Sequence, residues 1–201
     1  MSRAPALVLA SASAVRQRLL RQAGVPFRVR PAGVDEPAVI AALCAEDAAP
    51  RHIADLLAEL KAVQVSRAEA QAFTLGADQV LACEGEIFQK PEDMNDARAR
   101  LQRLRGKTHE LLTAAVLARE GAPIWRHVSV SRLTMRPFSD AFLDAYLERN
   151  GESILSSVGA YLLEEEGVQL FSRIDGDYFS ILGLPMLPLL DILRRHGVVR
   201  S

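Results

Sequence analysis

Short apolar runs alternate with longer segments in which apolar residues return every three or four positions, and this rhythm predicts strands and helices in alternation. Ala6-Leu7-Val8-Leu9-Ala10 has no polar face, as in a strand that a sheet buries on both sides. Ser11-Ala12-Ser13 follows, then a helical pattern to Ala23 with Leu19, Leu20 and Ala23 as its apolar stripe and Arg16, Gln17, Arg18 and Arg21 opposite, stopped by Gly24. Phe27 to Arg30 alternates as a second strand and leads into a loop from Pro31 to Pro37. A long helical region, broken near Pro50, is predicted to carry Ile53, Leu56, Leu57, Leu60 and Val63 on one face with Lys61 beside them.

Leu75 to Cys83 reads as an apolar strand interrupted by one carboxylate, Asp78, which a strand interior presents only if it has a partner or a task. Glu84-Gly85 closes a hairpin onto Glu86-Ile87-Phe88, and Pro91 ends its pairing just beyond Lys90. Asp93 or Asn95 caps the next helix, which runs through Leu104 to Gly106. Two long strands are predicted around Glu120-Gly121, including Leu111 to Ala118 and Val128 to Met135. Ser139 caps a helix bearing Phe142, Leu143, Tyr146 and Leu147; Tyr161 to Leu163 and Val168 to Phe171 are strand candidates; Met186 to Arg195 is a closing amphipathic helix, with Gly197 beyond it. The fold class is α/β: an elongated twisted mixed sheet flanked by helices, built from residues 1–201 as a single domain that allows two lobes around a central cleft.

Composition narrows the function. A net charge of -1 over 201 residues gives no general attraction for nucleic acid or an anionic membrane, so a polyanionic ligand must be small and locally gripped, as a nucleotide would be. The two cysteines, Cys44 and Cys83, lack metal-ligand spacing and are expected to be buried thiols of a reducing compartment. With no apolar span of membrane length and no leader pattern, the expected location is the cytoplasm. Only three lysines occur, Lys61, Lys90 and Lys107, against a background of arginine. A compact ammonium is therefore of interest wherever the chain retains one.

Chemistry gathers at the predicted strand ends. Ser11 and Ser13 precede a helix whose first turn contains Arg16, and hydroxyls, free amides and a guanidinium there suit phosphate oxygens; plain helix capping is the competing reading. Asp35-Glu36 offers hard oxygen ligands for a divalent metal, or merely a solvated acidic loop. Together with Lys61, Asp78 and Lys90 these groups suggest a triphosphate site. His52, His127 and His196 have no metal-ligand spacing and read as surface or helix-end residues. Trp125 reads as packing on the long strands. Arg173, Asp175 and Asp177 are read as a structural ion pair in preference to a site rim.

At these positions the chain resembles the Maf family of nucleoside triphosphate pyrophosphatases. The resemblance rests on Leu9-Ala10-Ser11-Ala12-Ser13-Ala14-Val15-Arg16, Val34-Asp35-Glu36, Lys61-Ala62, Gly76-Ala77-Asp78-Gln79, Gly85-Glu86-Ile87, Lys90-Pro91, Gly106-Lys107-Thr108-His109, Gly159-Ala160-Tyr161, Arg173-Ile174-Asp175-Gly176-Asp177-Tyr178 and Gly183-Leu184-Pro185. It implies cleavage between the α- and β-phosphates of a nucleoside triphosphate with magnesium or manganese. Asp78 is the implied proton acceptor, Glu36 and Asp78 the metal-side carboxylates, and Ser11, Ser13, Arg16, Lys61 and Lys90 the phosphate-binding set. Lys107 is expected to be a solvated surface residue.

The family's Pro-Arg-Arg stands here as Ala14-Val15-Arg16, so one of its paired arginines is replaced by Val15. Val15, Gln79 and Glu164 are the expected specificity positions. Gln79 in place of the threonine of the dTTP/UTP branch, with Glu164 in the late loop, resembles the 7-methyl-GTP branch; Glu165 and Glu166 are rival neighbours, and a solvated acidic turn is the plain alternative. The competing expectations are a dTTP/UTP or inosine triphosphate pyrophosphatase and, in another class, a nucleotide-binding regulator of septum formation and cell-division arrest. A homodimer through the apolar helices near Phe142 and Leu189 is also compatible with the sequence.

Overall fold

The computed structural model describes residues 6–200. Its strands are β1 (Leu7–Leu9), β2 (Arg28–Val29), β3 (Phe73–Cys83), β4 (Glu86–Phe88), β5 (Thr108–Arg119), β6 (Ala122–Met135) and β7 (Phe171–Asp175). Its helices are α1 (Ala14–Gln22), α2 (Glu36–Ala45), α3 (Pro50–Arg67), α4 (Met94–Leu104), α5 (Asp140–Asn150), α6 (Tyr178–Ile181) and α7 (Met186–Arg195), with short 3-10 turns at Gly151–Ser156 and Glu166–Leu170. The strands form one mixed sheet in the order β2-β1-β3-β5-β6-β7, with β4 hydrogen-bonded to β3. β1 runs parallel to β2 and to β3, whereas β3/β4 and β6/β7 are antiparallel. The α/β expectation holds.

The chain divides into two compact units whose boundaries fall inside β3, β5 and β6 and between β7 and α6. Among the described residues, the first comprises 6–79, 113–129 and 177–200; the second comprises 80–112 and 130–176. In the first unit, strand alternation sorts side chains onto two faces. Leu7 and Leu9 join Phe73, Leu75, Ala77, Leu117, Leu184, Leu189 and Leu193 in one core, while Val8 and Ala10 pack with Val65 and Ala72. Both faces of β1 are buried, as its unbroken apolar run predicts.

The α3 face departs from the expected stripe. Its buried residues are Ile53, Ala54, Leu57, Ala58, Lys61, Ala62, Val65 and Ser66, so Leu56, Leu60 and Val63 lie only partly covered and Lys61 belongs to the buried side. The cause is close approach. A Cβ placed on Gly76 of β3 would stand 2.1 Å from the Ala58 carbonyl oxygen and 2.6 Å from the Ala62 nitrogen, so the helix backbone lies against the strand and only small residues fit between them.

In the second unit, Glu84 and Gly85 both take positive φ, 52° and 82°, which gives the expected tight β3–β4 hairpin. Asp93, Ser139 and Asp177 cap α4, α5 and α6 through their side chains. Tyr161 to Leu163 is not a strand, and Val168 to Leu170 lies in a 3-10 turn before β7 begins at Phe171. The reason is that Tyr161 is a core side chain hydrogen-bonded to buried His109 (2.8 Å) and set edge-on against Phe171. Aromatic packing, not ladder pairing, accounts for its apolar character. Cys83 is buried as expected, but Cys44 is exposed, because α2 buries none of its residues. Leu189 lies in the core of its unit, whereas Leu187 of the same helix is exposed.

No helix among the described residues is long and apolar enough to cross a membrane. Gly76→Ala is expected to destabilise the protein by about 3 kcal/mol, since the clash is with backbone that cannot rotate away; urea unfolding measures it. Burial lowers the His109 pKa from 6.5 to about 4. The unfolded chain then binds more protons between those values, so stability falls as pH drops from about 6.5 to about 4, by about 3 kcal/mol in all. The difference in unfolding free energy between the native chain and His109→Phe should carry that slope across the window, the other titrating groups being common to both.

Candidate active site

Alternation along β3 puts Gly76 and Asp78 toward α3. Because the helix backbone touches the strand at Gly76, Lys61, one turn beyond Ala58, comes within reach of the Asp78 carboxylate. Its Nζ donates to Asp78 Oδ1 at 2.6 Å, and each of the two residues is only 6% exposed. The same ammonium pairs with Glu36 Oε1 at 2.6 Å. Glu36 arrives from the first turn of α2, whose N-cap is Asp35: the Asp35 carboxylate accepts from the Ala38 amide, so Asp35 is committed to starting the helix that presents Glu36.

Burial pushes the Asp78 carboxyl above the usual carboxylate range, against the pull of Lys61 and Arg16. Its Oδ2 has no hydrogen-bond partner among the described residues, so one oxygen is held and the other is available. A carboxylate with a raised pKa and a free oxygen is suited to accepting a proton.

Arg16 closes the other side of this corner. Its Nη1 donates to Ala77 O (2.8 Å) and to Ser11 Oγ (3.1 Å), and its Nε donates to Gly183 O (3.0 Å). Burial lowers the guanidinium pKa while Asp78 and Glu36 raise it; so basic a group keeps its charge. Ser13 caps α1, its hydroxyl oxygen accepting from the Arg16 amide, and Ser11 Oγ accepts from the Ser13 amide. Capping and phosphate binding are compatible here, because each hydroxyl accepts within the protein and keeps its own proton to donate. The first-turn amides of Ala14 and Val15 have no acceptor earlier in the helix. Two cations and two carboxylates thus balance within one corner beside a set of unused donors.

A family model described as Maf-like protein matches residues 6–196. The chain belongs to the Maf family. A relative from Caulobacter vibrioides named nucleoside triphosphate pyrophosphatase is 55% identical over 193 residues, covering 96% of each chain. One from Brucella abortus named 7-methyl-GTP pyrophosphatase is 51% identical, covering 96% of this chain and 97% of its own. One from Rhizobium meliloti with that second name is 49% identical, covering 97% and 98%.

The remaining residues of the Maf resemblance have definite positions. Val15 is half-buried against the core cluster, so the residue in place of the first arginine of the pair is a packing side chain. Gln79 points to the opposite face of β3 from Asp78. Its Nε2 lies 2.8 Å from Thr113 Oγ1, 3.1 Å from Ser180 O and 3.0 Å from Ile181 O. The expectation that Gln79 both donates and accepts toward a base is therefore corrected: its NH2 group is committed within the protein. Lys90 and Glu164 belong to the second unit, Lys90 exposed just after β4 and Glu164 half-buried in a turn. The arrangement around Asp78 is built without them. Glu166 is bound to Arg149 and Asn150, which removes it as a rival to Glu164, while Glu165 is exposed.

Other expectations find structural duties. Arg173 pairs with Asp175 and Asp177 caps α6. Lys107 pairs with Glu84, His196 caps α7, and Trp125 packs on the core with His127 stacked against it. Sequence reasoning missed Thr113, Ser180 and Gly183. Thr113 carried a signal, as the one polar residue between Leu111 and Ala118; the other two act through carbonyl oxygens, which no side-chain pattern reveals.

Lys61→Met is expected to cost about 3 kcal/mol of stability, because it leaves the buried Asp78 carboxylate uncompensated. The loss should be larger at pH 8 than at pH 5.5, where Asp78 can neutralise by holding a proton, and urea unfolding at both values measures it.

Proposed function

We propose that this Maf-family nucleoside triphosphate pyrophosphatase hydrolyses a modified purine nucleotide, with 7-methyl-GTP first, and so keeps non-standard nucleotides from being incorporated into nucleic acids. The observation that carries the chemistry is the buried Lys61 ammonium shared by Asp78 and Glu36 beside the Ser11–Arg16 corner. In this reading water is the nucleophile. Asp78 Oδ2 takes a proton from it as its oxygen bonds to the α-phosphorus; the bond from that phosphorus to the bridging oxygen breaks, and pyrophosphate leaves. Lys61 holds the carboxylate in place through Oδ1. Ser11 and Ser13 donate hydroxyl protons to phosphate oxygens, and the first-turn amides of α1 add a favourable dipole. Arg16, three of whose five N–H donors face Gly183 O, Ala77 O and Ser11 Oγ, contributes charge and keeps the turn in shape.

Magnesium or manganese fits the donor set. Glu36 and Asp78 are hard oxygen ligands on one side of a site whose substrate brings its own phosphate oxygens, and magnesium commonly binds through one or two carboxylates plus phosphate and water. No group of three or more potential ligands occurs among the described residues, consistent with a metal that arrives with the nucleotide. When bound, the ion would neutralise charge on the departing pyrophosphate.

The purine preference rests on Gln79, the Maf resemblance of Glu164 and the names of two of the relatives described above. Lys90 as a further phosphate ligand and Glu164 as a base-reading carboxylate rest on that resemblance alone. The test is pyrophosphate release from 7-methyl-GTP, GTP, dTTP, UTP, CTP and ITP with either metal. Highest kcat/KM for 7-methyl-GTP, with a roughly 10²- to 10⁴-fold loss in Asp78→Asn, is the expected result. A preference for dTTP or UTP would overturn the substrate assignment, and undiminished release by Asp78→Asn would remove Asp78 from the proton-accepting role.

A further inference from the structure

Gln79 is held by three oxygens, and none of them leaves the orientation of its amide open. Ser180 O and Ile181 O are backbone carbonyls, which only accept. Thr113 Oγ1 can in general donate or accept, but its proton is directed to Ser180 O at 2.8 Å, so a lone pair faces Gln79. The end of Gln79 that faces this cluster must be NH2. One of its protons goes to Thr113, and the other lies between the two carbonyls. Oε1 is then turned away from the cluster, and it takes no hydrogen bond from the described residues. Gln79 is half-buried, and its unpaired Oε1 is not among the fully buried polar atoms of the described residues, so a ligand can reach it.

We infer that Thr113 is a positioning residue for substrate selection, fixing the Gln79 amide so that Oε1 is the one polar atom it offers and a nucleobase is read there by an N–H donor on its edge. Thr113 is 1% exposed and never meets the nucleotide; it acts through Gln79. Three features bind it to the site. Asp78 and Gln79 are consecutive on β3, so a shift of one moves the other. The carbonyls that hold Gln79 stand only two and three residues before Gly183, whose own carbonyl accepts from Arg16, and Arg16 in turn holds Ser11. Ser180 is itself fixed, since its amide and hydroxyl both donate to Asp177 Oδ2 at 2.7 Å, so the cluster is a rigid stop and not a mobile loop. An apolar residue at position 113 would remove the shortest of the three acceptors for Gln79 and the donor to Ser180 O, leaving one NH2 proton without a partner and the amide held by the two carbonyls alone, so that Oε1 is less firmly aimed.

The inference rests on the pyrophosphatase reading. Its test is kcat and KM for 7-methyl-GTP, GTP, ITP, UTP and CTP in the native protein, Thr113→Ser, Thr113→Val and Gln79→Met. Thr113→Val is expected to compress the ratio of kcat/KM between the best and worst nucleotides roughly three- to tenfold, the worth of one neutral hydrogen bond, mainly through KM. Thr113→Ser, which keeps the hydroxyl, should hold the native ratio within about twofold. Adding Thr113→Val to Gln79→Met should change the ratio no further. Thr113→Ala serves if the valine variant does not fold. An unchanged ratio in Thr113→Val, or an equal loss in Thr113→Ser, overturns the positioning role while leaving the pyrophosphatase reading intact. A native protein that releases pyrophosphate from none of these nucleotides, with either metal, overturns both.

Discussion

The candidate site depends on the contact between α3 and β3 at Gly76. Hydrogen there in place of a side chain brings a helix backbone within contact distance of a strand, and Ala58 and Ala62 keep the approach open from the helix side. Only at that separation does Lys61 meet Asp78 with both groups nearly free of solvent. A larger residue at position 76 would push the helix outward, lengthen the ion pair and let water between its partners. The same approach sets the burial that raises the Asp78 pKa. A packing constraint thus determines a protonation property.

Burying a carboxylate and an ammonium together is not by itself a gain in stability, because desolvation offsets most of their attraction. Here the pair does not close on itself. Lys61 divides its attraction between Asp78 and the more exposed Glu36, so neither carboxylate is fully neutralised, and Asp78 Oδ2 has no partner among the described residues. A hydrophobic pair would fill the same volume at less cost. The ionic arrangement makes sense as a held base with hard oxygen ligands beside it, ready for a substrate that brings both negative charge and the balancing metal.

Much of the fold was legible in residue patterns. The all-apolar β1, the Glu84-Gly85 hairpin, the caps Asp93 and Ser139 and the helix Met186–Arg195 all follow from local rules of periodicity, turn chemistry and capping. Those rules failed where small residues or aromatics answer to tertiary contacts. The α3 stripe was misplaced because alanines facing Gly76 are buried by proximity and not by their own hydrophobicity, and Tyr161 resembled a strand residue because an aromatic core position and a strand share the same apolar signature. Cys44 shows the converse, an apolar helix residue left exposed because α2 presents a carboxylate without covering a core. In the site, charged side chains announced themselves, whereas the carbonyls of Ala77, Ser180, Ile181 and Gly183 did not, since every residue carries one.

Those carbonyls also change how the missing arginine is understood. With Val15 packed on the core, Arg16 is the one arginine left of the Maf pair, and its Nε and Nη1 are directed to Gly183 O, Ala77 O and Ser11 Oγ. A guanidinium so committed cannot clamp a phosphate with both arms of its fork. Its effect on a triphosphate is then chiefly one of charge and of shape, holding Ser11 and the turn where the first amides of α1 face the ligand. In the proposed reading, direct contact with the phosphates would pass to hydroxyls and backbone N–H groups, which are short and fixed, and selectivity would fall to Gln79, which the same α6 segment holds in place. Arg16 and Gln79 share one support, the stretch from Asp177 to Gly183, so in that reading a change in the stretch would act on phosphate grip and base choice at once.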